Sequence, residues 1–543
     1  MMSGEGAKNS VRVFLMSLAP DPCPGGVALA TDAPPCSASA GRWVLAASVL
    51  GSSMAFIDGT VVSVALPVLQ QDLGVGVSGA QWIVESYALF LSSLVLVGGS
   101  LADRFGRKRI FSIGAAAFAL ASLACGLAPG AGALIAARAV QGLGAALLVP
   151  SSLAMLGAAF PPQERGRAVG MWSALTSIAS AVGPALGGWL VEAISWRVVF
   201  LINLPIAAAV LWIVQRHVAE TRNPSGGRVD LPGAVLATLG LGGLVFGLIE
   251  GASVGWADPR AWGAAAAGVA GIAAFVVVEN SSDHPMVPLN LFRRRAFTAA
   301  NLLTLFFYAA LAATFFFLPF VLIQARGYRP SAAGATMLPI VVIVSALSRT
   351  AGMLADRFGA RLPLTVGPCV AAAGFLLFAI LPATGGFAAT LLPALCTLGL
   401  GLAITVAPLT ATVLGAVDQA DQGTASGINN AVARVAALLA IAVFGLIAAA
   451  TFNHELDRWL ADARVSAEVL RQVAPERVRL GALQPPPSAS AVEAGAIRAA
   501  VKTGLERSFR VTSLSCAGLA LAAAACGALS AGAKRRAARQ SKG

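Results

Sequence analysis

The sequence predicts an all-α polytopic membrane protein: two six-helix bundles plus two extra helices, 14 transmembrane helices in all. Three observations carry that expectation. Apolar blocks have spanning length, basic residues gather at every second connection, and one segment recurs at a fixed offset in the chain.

The apolar blocks come first. Of 543 residues, 57% are hydrophobic and 12% charged, roughly half the charged share of a soluble protein. Mean hydropathy is +0.78. A soluble chain of this size has no core large enough to hide so much apolar surface. The blocks are about 20 residues long, which spans ~30 Å of hydrocarbon at ~1.5 Å per residue. They run approximately over 43–69, 81–101, 110–128, 133–159, 168–190, 198–214, 231–250, 261–279, 297–323, 333–354, 362–381, 387–413, 428–450 and 511–531.

Charge orients them. The net charge of +13 suggests a polyanion partner until its location is read. Arg104, Arg107, Lys108 and Arg109 share one connection; Arg165 and Arg167 another; Arg216, Arg222 and Arg228 a third; Arg293, Arg294 and Arg295 a fourth. Lys534, Arg535, Arg536 and Arg539 close the chain. This alternation is the positive-inside pattern, so nucleic acid is not an expected partner and both termini are expected in the cytoplasm. An even number of spans agrees with that placement.

The repeat supplies the architecture. GSLADRFGRKR at Gly99–Arg109 recurs as GMLADRFGAR at Gly352–Arg361, an offset of 253. The same offset carries span 1 onto span 9 and span 4 onto span 12. The expected units are a tail 1–42, a bundle 43–214, an inserted pair 231–280, a second bundle 297–531 with an outer loop 451–510, and a basic tail 532–543. Repeated transporter halves place the substrate site where they meet.

The remaining segments are less informative. Val11 to Leu18 is a short apolar run after Lys8 and Arg12, read as part of a cytoplasmic tail rather than a cleaved leader. The seven cysteines show no metal or disulfide spacing and read as small apolar fillers. In the outer loop, Asn453 to Gln472 has the pattern of an amphipathic helix, and Pro485, Pro486 and Pro487 break any regular structure beyond it. Either a solvated cap or a binding element fits that loop. Glu250 and Glu279 fall at span ends and are expected to be solvated.

In the repeated segment, Gly99 and Gly106 allow close approach and tight turning, while Asp103 can accept hydrogen bonds from Arg107 or from backbone amides. The segment resembles the loop between helices 2 and 3 of major facilitator transporters. Phe56-Ile57-Asp58-Gly59-Thr60 through Pro67 in span 1 is similar to the signature of the drug:proton antiporter branch with fourteen helices. So are Arg138-Ala139-Val140-Gln141-Gly142 in span 4, Gly170 with Gly183-Pro184-Ala185-Leu186-Gly187-Gly188 in span 5, and Trp196-Arg197 through Asn203-Leu204-Pro205. Ala179 stands where the span 5 motif usually has another glycine. The resemblance implies that Gly99, Asp103, Arg104, Gly106 and Arg107, with Gly352, Asp356 and Arg357, form a latch stabilising the outward-facing state. It also implies that Gly170, Gly183, Pro184, Gly187 and Gly188 form an antiporter-motif hinge.

Asp58 is the expected proton-coupling residue. It lies about nine residues, or ~13 Å, inside span 1. An ionised carboxylate at such depth costs at least ~2.5–3.5 kcal/mol, so it must face a cavity or a partner. Desolvation favours its neutral form and a nearby arginine its charged form; a group balanced between them can load and release a proton. Arg138 in span 4 is the second member, able to modulate Asp58 or simply to brace a neighbouring helix. The offset carries Asp58 onto Leu311 and Arg138 onto Leu391, so the charges belong to the first half.

Substrate-cavity candidates are Glu85, Tyr87, Gln141, Phe306, Phe307, Tyr308, Phe315 and Phe316. For Glu85 two roles stand side by side, attraction of cationic substrates or contact with interfacial water; the aromatics either line the cavity or pack helices. No G-x-x-x-x-G-K-S/T loop occurs, and His217, His284 and His454 are scattered. No enzyme activity, cofactor or metal is therefore expected, and an ion gradient must supply the energy. The expectation is a proton-coupled exporter of small hydrophobic or cationic compounds in a bacterial inner membrane, working as a monomer among lipids. A lipid or lipid-precursor flippase and, less favoured, a proton-coupled importer are the alternatives.

Overall fold

A computed structural model describes residues 28–29, 38–222, 230–282, 285–382, 385–418, 421–463 and 465–530. Among them, fourteen helices are long and apolar enough to cross a membrane. They are α1 (Ala38–Asp72), α2 (Val77–Phe105), α3 (Arg107–Gly126), α4 (Ala131–Ala159), α5 (Pro162–Ala193) and α6 (Val198–Leu201 continued by Asn203–His217). The pair α7 (Leu231–Ser253) and α8 (Pro259–Ser281) comes next. Then come α9 (Arg295–Phe320, ending in a π-turn Val321–Ala325), α10 (Pro330–Ala335 and Leu338–Phe358), α11 (Arg361–Ile380), α12 (Leu392–Gly415), α13 (Gln422–Asp462) and α14 (Ala491–Ser530). A two-residue parallel ladder joins Ala28–Leu29 to Thr221–Arg222.

Helix α1 begins before the expected residue 43, and the other expected features of tail 1–42 and tail 532–543 lie outside the described residues. Bundle one is held by α2 against α4, α4 against α3, and α1 against α5. Bundle two pairs α11 with α12 and α14, and α9 with α13 and α14. The bundles meet where α2 lies on α13, α5 on the first turns of α10, and α1 on α9. Of the inserted pair, α7 covers the α2–α13 seam, and α8 rests on α7.

The chain bears its repeated loops on one face, called here the basic face, and the loop after α13 on the other, the cap face. The loop is shorter than expected. Asn453 continues α13 without a break as far as Asp462, and α14 begins at Ala491. Phe452, Leu456 and Leu460 of α13 and Ile497, Ala500 and Leu505 of α14 are all buried in one apolar cluster, which carries both helices past the bundle as a hairpin. Between them a short helix (Ala467–Val473) and a 3-10 segment (Ala474–Ala482) fold back over the bundles. Gln70 of α1 donates to the carbonyl of Arg479 at 2.9 Å and accepts from Gln324 of α9 at 3.0 Å. Leu480 is buried there with a left-handed φ of 46°.

Glu279 departs from the expectation of a solvated span end. It is 2% exposed, because the chain after α8 turns back and donates from the amide of Val287 at 3.0 Å.

On the cap face the seam between bundles is built on backbone contact. A Cβ at Gly188 would collide with the carbonyl oxygen of Pro330, and one at Gly334 with that of Pro184. Gly170, nearer the basic face, has nothing within 4 Å. Overpacking a close seam costs ~1–3 kcal/mol, while alanine in an open helix is favoured over glycine by up to ~1 kcal/mol. Gly188→Ala should therefore lower thermal stability in detergent, and Gly170→Ala should leave it unchanged or raise it.

Candidate functional site

The site grows from one charge that the apolar helix α1 cannot solvate. Asp58 and Arg138 form an ion pair whose side chains are 0% and 1% exposed. Further hydrogen bonds tie the pair to α4 itself and to three neighbouring helices. Gln141, one turn along α4, donates to Asp58 Oδ1 at 2.8 Å and accepts from Arg138 at 2.7 Å. Asn203 of α6 donates to the same Oδ1 at 3.2 Å. Ser122 of α3 accepts from Gln141 at 2.7 Å and from Asn203 at 2.9 Å. Arg138 Nε donates to the carbonyl of Ile83 on α2 at 3.0 Å, and its guanidinium lies 4.2 Å from the ring centroid of Tyr87. Five helices thus share one polar core.

Small residues make these distances reachable. A Cβ at Gly142 would strike the carbonyl of Tyr87 on α2, and one at Gly144 would reach the backbone of Phe118 on α3 at 2.6 Å. Close backbones let short amide and hydroxyl side chains bridge helices without water.

A cavity of about 430 Å³ lies on the opposite side of α1, between the bundles. Bundle one lines it with Phe56, Thr60 and Ser63 of α1 and Thr176, Ser177 and Ser180 of α5; bundle two supplies Tyr308 and Phe315 of α9 and Met337 and Val344 of α10. Thr60 donates to the carbonyl of Ser180 at 3.0 Å, tying α1 to α5 along the wall.

On the basic face, Arg107 donates from Nε to Asp103 at 2.9 Å. Glu220, just past α6, accepts from the amides of Lys108 and Arg109 at 3.0 Å each and so caps α3. Gly106 turns with φ +110°, and a Cβ there would meet the Glu220 carboxylate at 2.7 Å. A cavity of about 440 Å³, lined by Gly99 and Asp103 and by Gly423 and Gly427, separates this loop from the start of α13.

A family model described as Major Facilitator Superfamily matches residues 48–441. The chain belongs to that superfamily. It is similar to the Multidrug resistance protein Stp of Mycobacterium tuberculosis (strain ATCC 25618 / H37Rv), 38% identical over 81% of this chain and 83% of that one. It is 33% identical to the Tetracenomycin C resistance and export protein of Streptomyces glaucescens, over 83% of this chain and 85% of that one. Among solved structures it shares its fold with a bacterial homolog to the human lysosomal transporter Spinster, in an inward-facing and unoccupied conformation. That match has a TM-score of 0.64 and 18% identity, covering 90% of this chain and 98% of that chain. The chain is thus a major facilitator transporter with fourteen candidate spans, and not an enzyme.

Within this superfamily fold the expected residues fall into three places. Asp58 and Arg138 are together in bundle one, and Gln141 and Tyr87 belong with them rather than with the cavity wall; Tyr87 donates to the carbonyl of Ala55 at 3.2 Å. Tyr308 and Phe315 line the cavity, whereas Phe307 and Phe316 are buried in bundle two and Phe306 packs beside them. Glu85 is 0% exposed on the α2 face toward α13, with neither carboxylate oxygen hydrogen-bonded among the described residues. It therefore neither lines the cavity nor reaches interfacial water in this conformation. Of the residues expected to form a hinge, Pro184 lines the cavity, Gly183 abuts Thr60, Gly187 abuts Val61 and Gly188 abuts Pro330. In the second loop, Gly352 and Arg357 lie near the end of α10; the Asp356 side chain is outside the described residues. No group of His, Cys, Asp and Glu among the described residues could hold a metal ion.

Ser122, Asn203, Glu220 and Arg434 complete the picture without being evident from sequence. Two carry a readable signal: Arg434, a charge inside the apolar span of α13, and Asn203, which falls in the Trp196 to Pro205 segment.

Removing one partner of a buried pair leaves an uncompensated charge and costs about 3–5 kcal/mol, while removing both costs much less. Arg138→Leu should destabilise the protein more than Asp58→Asn does. The double variant should regain part of the loss, read as non-additive shifts in thermal unfolding.

Proposed function

We propose that this chain is a proton-coupled antiporter of the bacterial cell membrane that exports small, largely apolar compounds by alternating access. Its basic face would be cytoplasmic, with both termini there, as the positive-inside rule requires. The named activities of its relatives, multidrug resistance and export of an antibiotic compound, support the direction of transport. The sealed cap face supports an inward-facing conformation, since α5 meets α10 at Pro330–Ala335 and diverges from it toward the basic face.

The observation that carries the reading is the position of α1 between two environments. One side holds Asp58 in its buried pair; the other lines the cavity with Phe56 and Thr60. A proton from outside neutralises Asp58 and removes its attraction for Arg138, leaving the guanidinium to Gln141 and the Ile83 carbonyl. The two states of α1 then present different walls to the substrate, and coupling equals the difference in affinity between them. Release of the proton to the cytoplasm restores the pair. The transporter would work as a monomer surrounded by lipid.

Vesicle transport tests the reading. Acidified inside-out vesicles should show proton efflux on substrate addition, and Asp58→Asn should abolish it while gradient-free substrate counterflow persists. Gradient-driven accumulation by Asp58→Asn would overturn the site assignment. Lipid movement without proton movement would instead identify a flippase.

A further inference from the structure

Bundle two holds a cation that the mechanism above does not use. Arg434 lies about 18 Å along α13 from its first residue, which is mid-span. Its guanidinium carbon sits 5.8 Å from the ring centroid of Phe56, a residue of the cavity wall. No hydrogen bond or ion pair to Arg434 occurs among the described residues, and its side chain is only half-buried. A cation–π contact at that distance is worth about 0.5–2 kcal/mol and leaves the five N–H donors of the guanidinium unmet.

The neighbouring carboxylates do not answer it. Asp58 is bound to Arg138, Gln141 and Asn203 within bundle one. Glu85 is on the helix facing Arg434, and the register of the two helices can be read at both ends. Gln81 donates to the carbonyl of Ile441, and a Cβ at Gly427 would touch Leu96. That antiparallel register sets Arg434 level with Leu89, one helical turn from Glu85, which is packed away without a donor.

The cavity wall has a matching bias. It offers hydroxyls at Thr60, Ser63, Thr176 and Ser180 among apolar and aromatic side chains, and no lining residue is acidic. A guanidinium at membrane depth is costly without a counter-charge, and its planar fork binds a carboxylate through two parallel hydrogen bonds. Arg434 is not itself a lining residue, but its guanidinium sits behind the wall at Phe56, one side chain from the cavity. A wall of hydroxyls and aromatic rings with a cation behind it favours an anion over a cation.

We infer that Arg434 is the anion-recognition group of the export cavity, and that the favoured cargo is an apolar ring compound bearing one carboxylate. This rests on the efflux reading above and names its substrate class. The cargo lies between Arg434 and the α1 wall, its carboxylate on the guanidinium and its ring system stacked against Phe56.

Three fluorescent probes of one skeleton test it: 9-anthracenecarboxylate, 9-anthracenemethanol and 9-anthracenemethylammonium, titrated against the purified full-length protein. The wild type should bind the carboxylate about tenfold or more tightly than either other probe, the factor expected of a charge-assisted hydrogen bond. Arg434→Gln should lose that factor for the carboxylate and leave the alcohol unchanged. Arg434→Lys should keep the order of the three probes but bind the carboxylate several-fold less tightly, since an ammonium lacks the planar fork. Tighter wild-type binding of the ammonium, or undiminished carboxylate binding by Arg434→Gln, overturns the inference. The wild-type order and Arg434→Lys decide the matter even where Arg434→Gln does not fold. Binding needs no gradient, so loss of proton-driven transport with this order intact sinks only the antiport reading, and the converse result sinks only this one.

Discussion

A carboxylate and a guanidinium placed at mid-membrane must find each other or deform the bilayer, and bundle one is organised around that requirement. Asp58 alone would oppose insertion of α1, and Arg138 alone that of α4. Paired, they still need every remaining donor and acceptor met, because a half-satisfied buried network costs more than an apolar core. Gln141, Asn203 and Ser122 meet most of that need from α4, α6 and α3, leaving the Asn203 side-chain oxygen without a partner among the described residues. The glycines of α4 answer the same demand, since amide side chains bridge helices only when the backbones nearly touch. Geometry, charge and small residues are one constraint seen three ways.

The two bundles solve their interiors differently. At the repeat offset, Leu311 and Leu391 stand where bundle one has Asp58 and Arg138, and both are buried. Around them bundle two stacks Phe297, Phe307 and Phe316 in place of ions, with a small polar set in which Asn429 donates to Asn301 and Thr304. An apolar interior changes little when a proton arrives, whereas the polar core of bundle one changes its charge. Under the proposed proton coupling, bundle one is thereby the half whose charge responds.

Much of the fold is legible in the sequence because membrane insertion writes its constraints in composition. Apolar length sets the spans, basic residues their alternation, and the recurring loop the two halves. The pair itself is legible too, since ionisable residues inside apolar spans are rare enough to seek each other. Its completion is not. Ser122 is an ordinary residue in sequence, and Asn203, though it falls in the quoted Trp196 to Pro205 segment, shows no partner there; only helix positions that no local pattern encodes bring both to the pair. Glu220 caps α3 from more than a hundred residues away, so the repeated loop alone does not reveal it. Gln141 and Tyr87 read as cavity residues because helical periodicity does not say which neighbour a face meets. The loop after α13 misleads for a related reason: the amphipathic stripe from Asn453 is real, but α14 runs opposite it and turns a surface helix into a hairpin. Arg434 is a different case, a visible charge with no counterpart in the repeat that points to bundle one.

The seam between α5 and α10 shows why alternation is mechanically available. Gly188 and Gly334 bring backbone against backbone, and the side-chain contacts that cross the seam are few and exposed: Glu192 of α5 accepts from the amide and hydroxyl of Ser331 and pairs with Arg329. A contact of that kind is held by dispersion and exclusion of water, both of which vanish over a few tenths of a nanometre. The closed state is therefore firm while intact and releases abruptly, as alternation between two discrete packings demands. Gln70 adds a directional element at the same face, accepting from Gln324 in bundle two and donating to the cap at Arg479. Those hydrogen bonds regain water partners when the face opens, so they specify the alignment of closure without adding much to its strength. Because α1 carries Gln70, Thr60 and Asp58, the ion pair, the cavity wall and the cap-face contact share one helix, with Pro67 between Thr60 and Gln70.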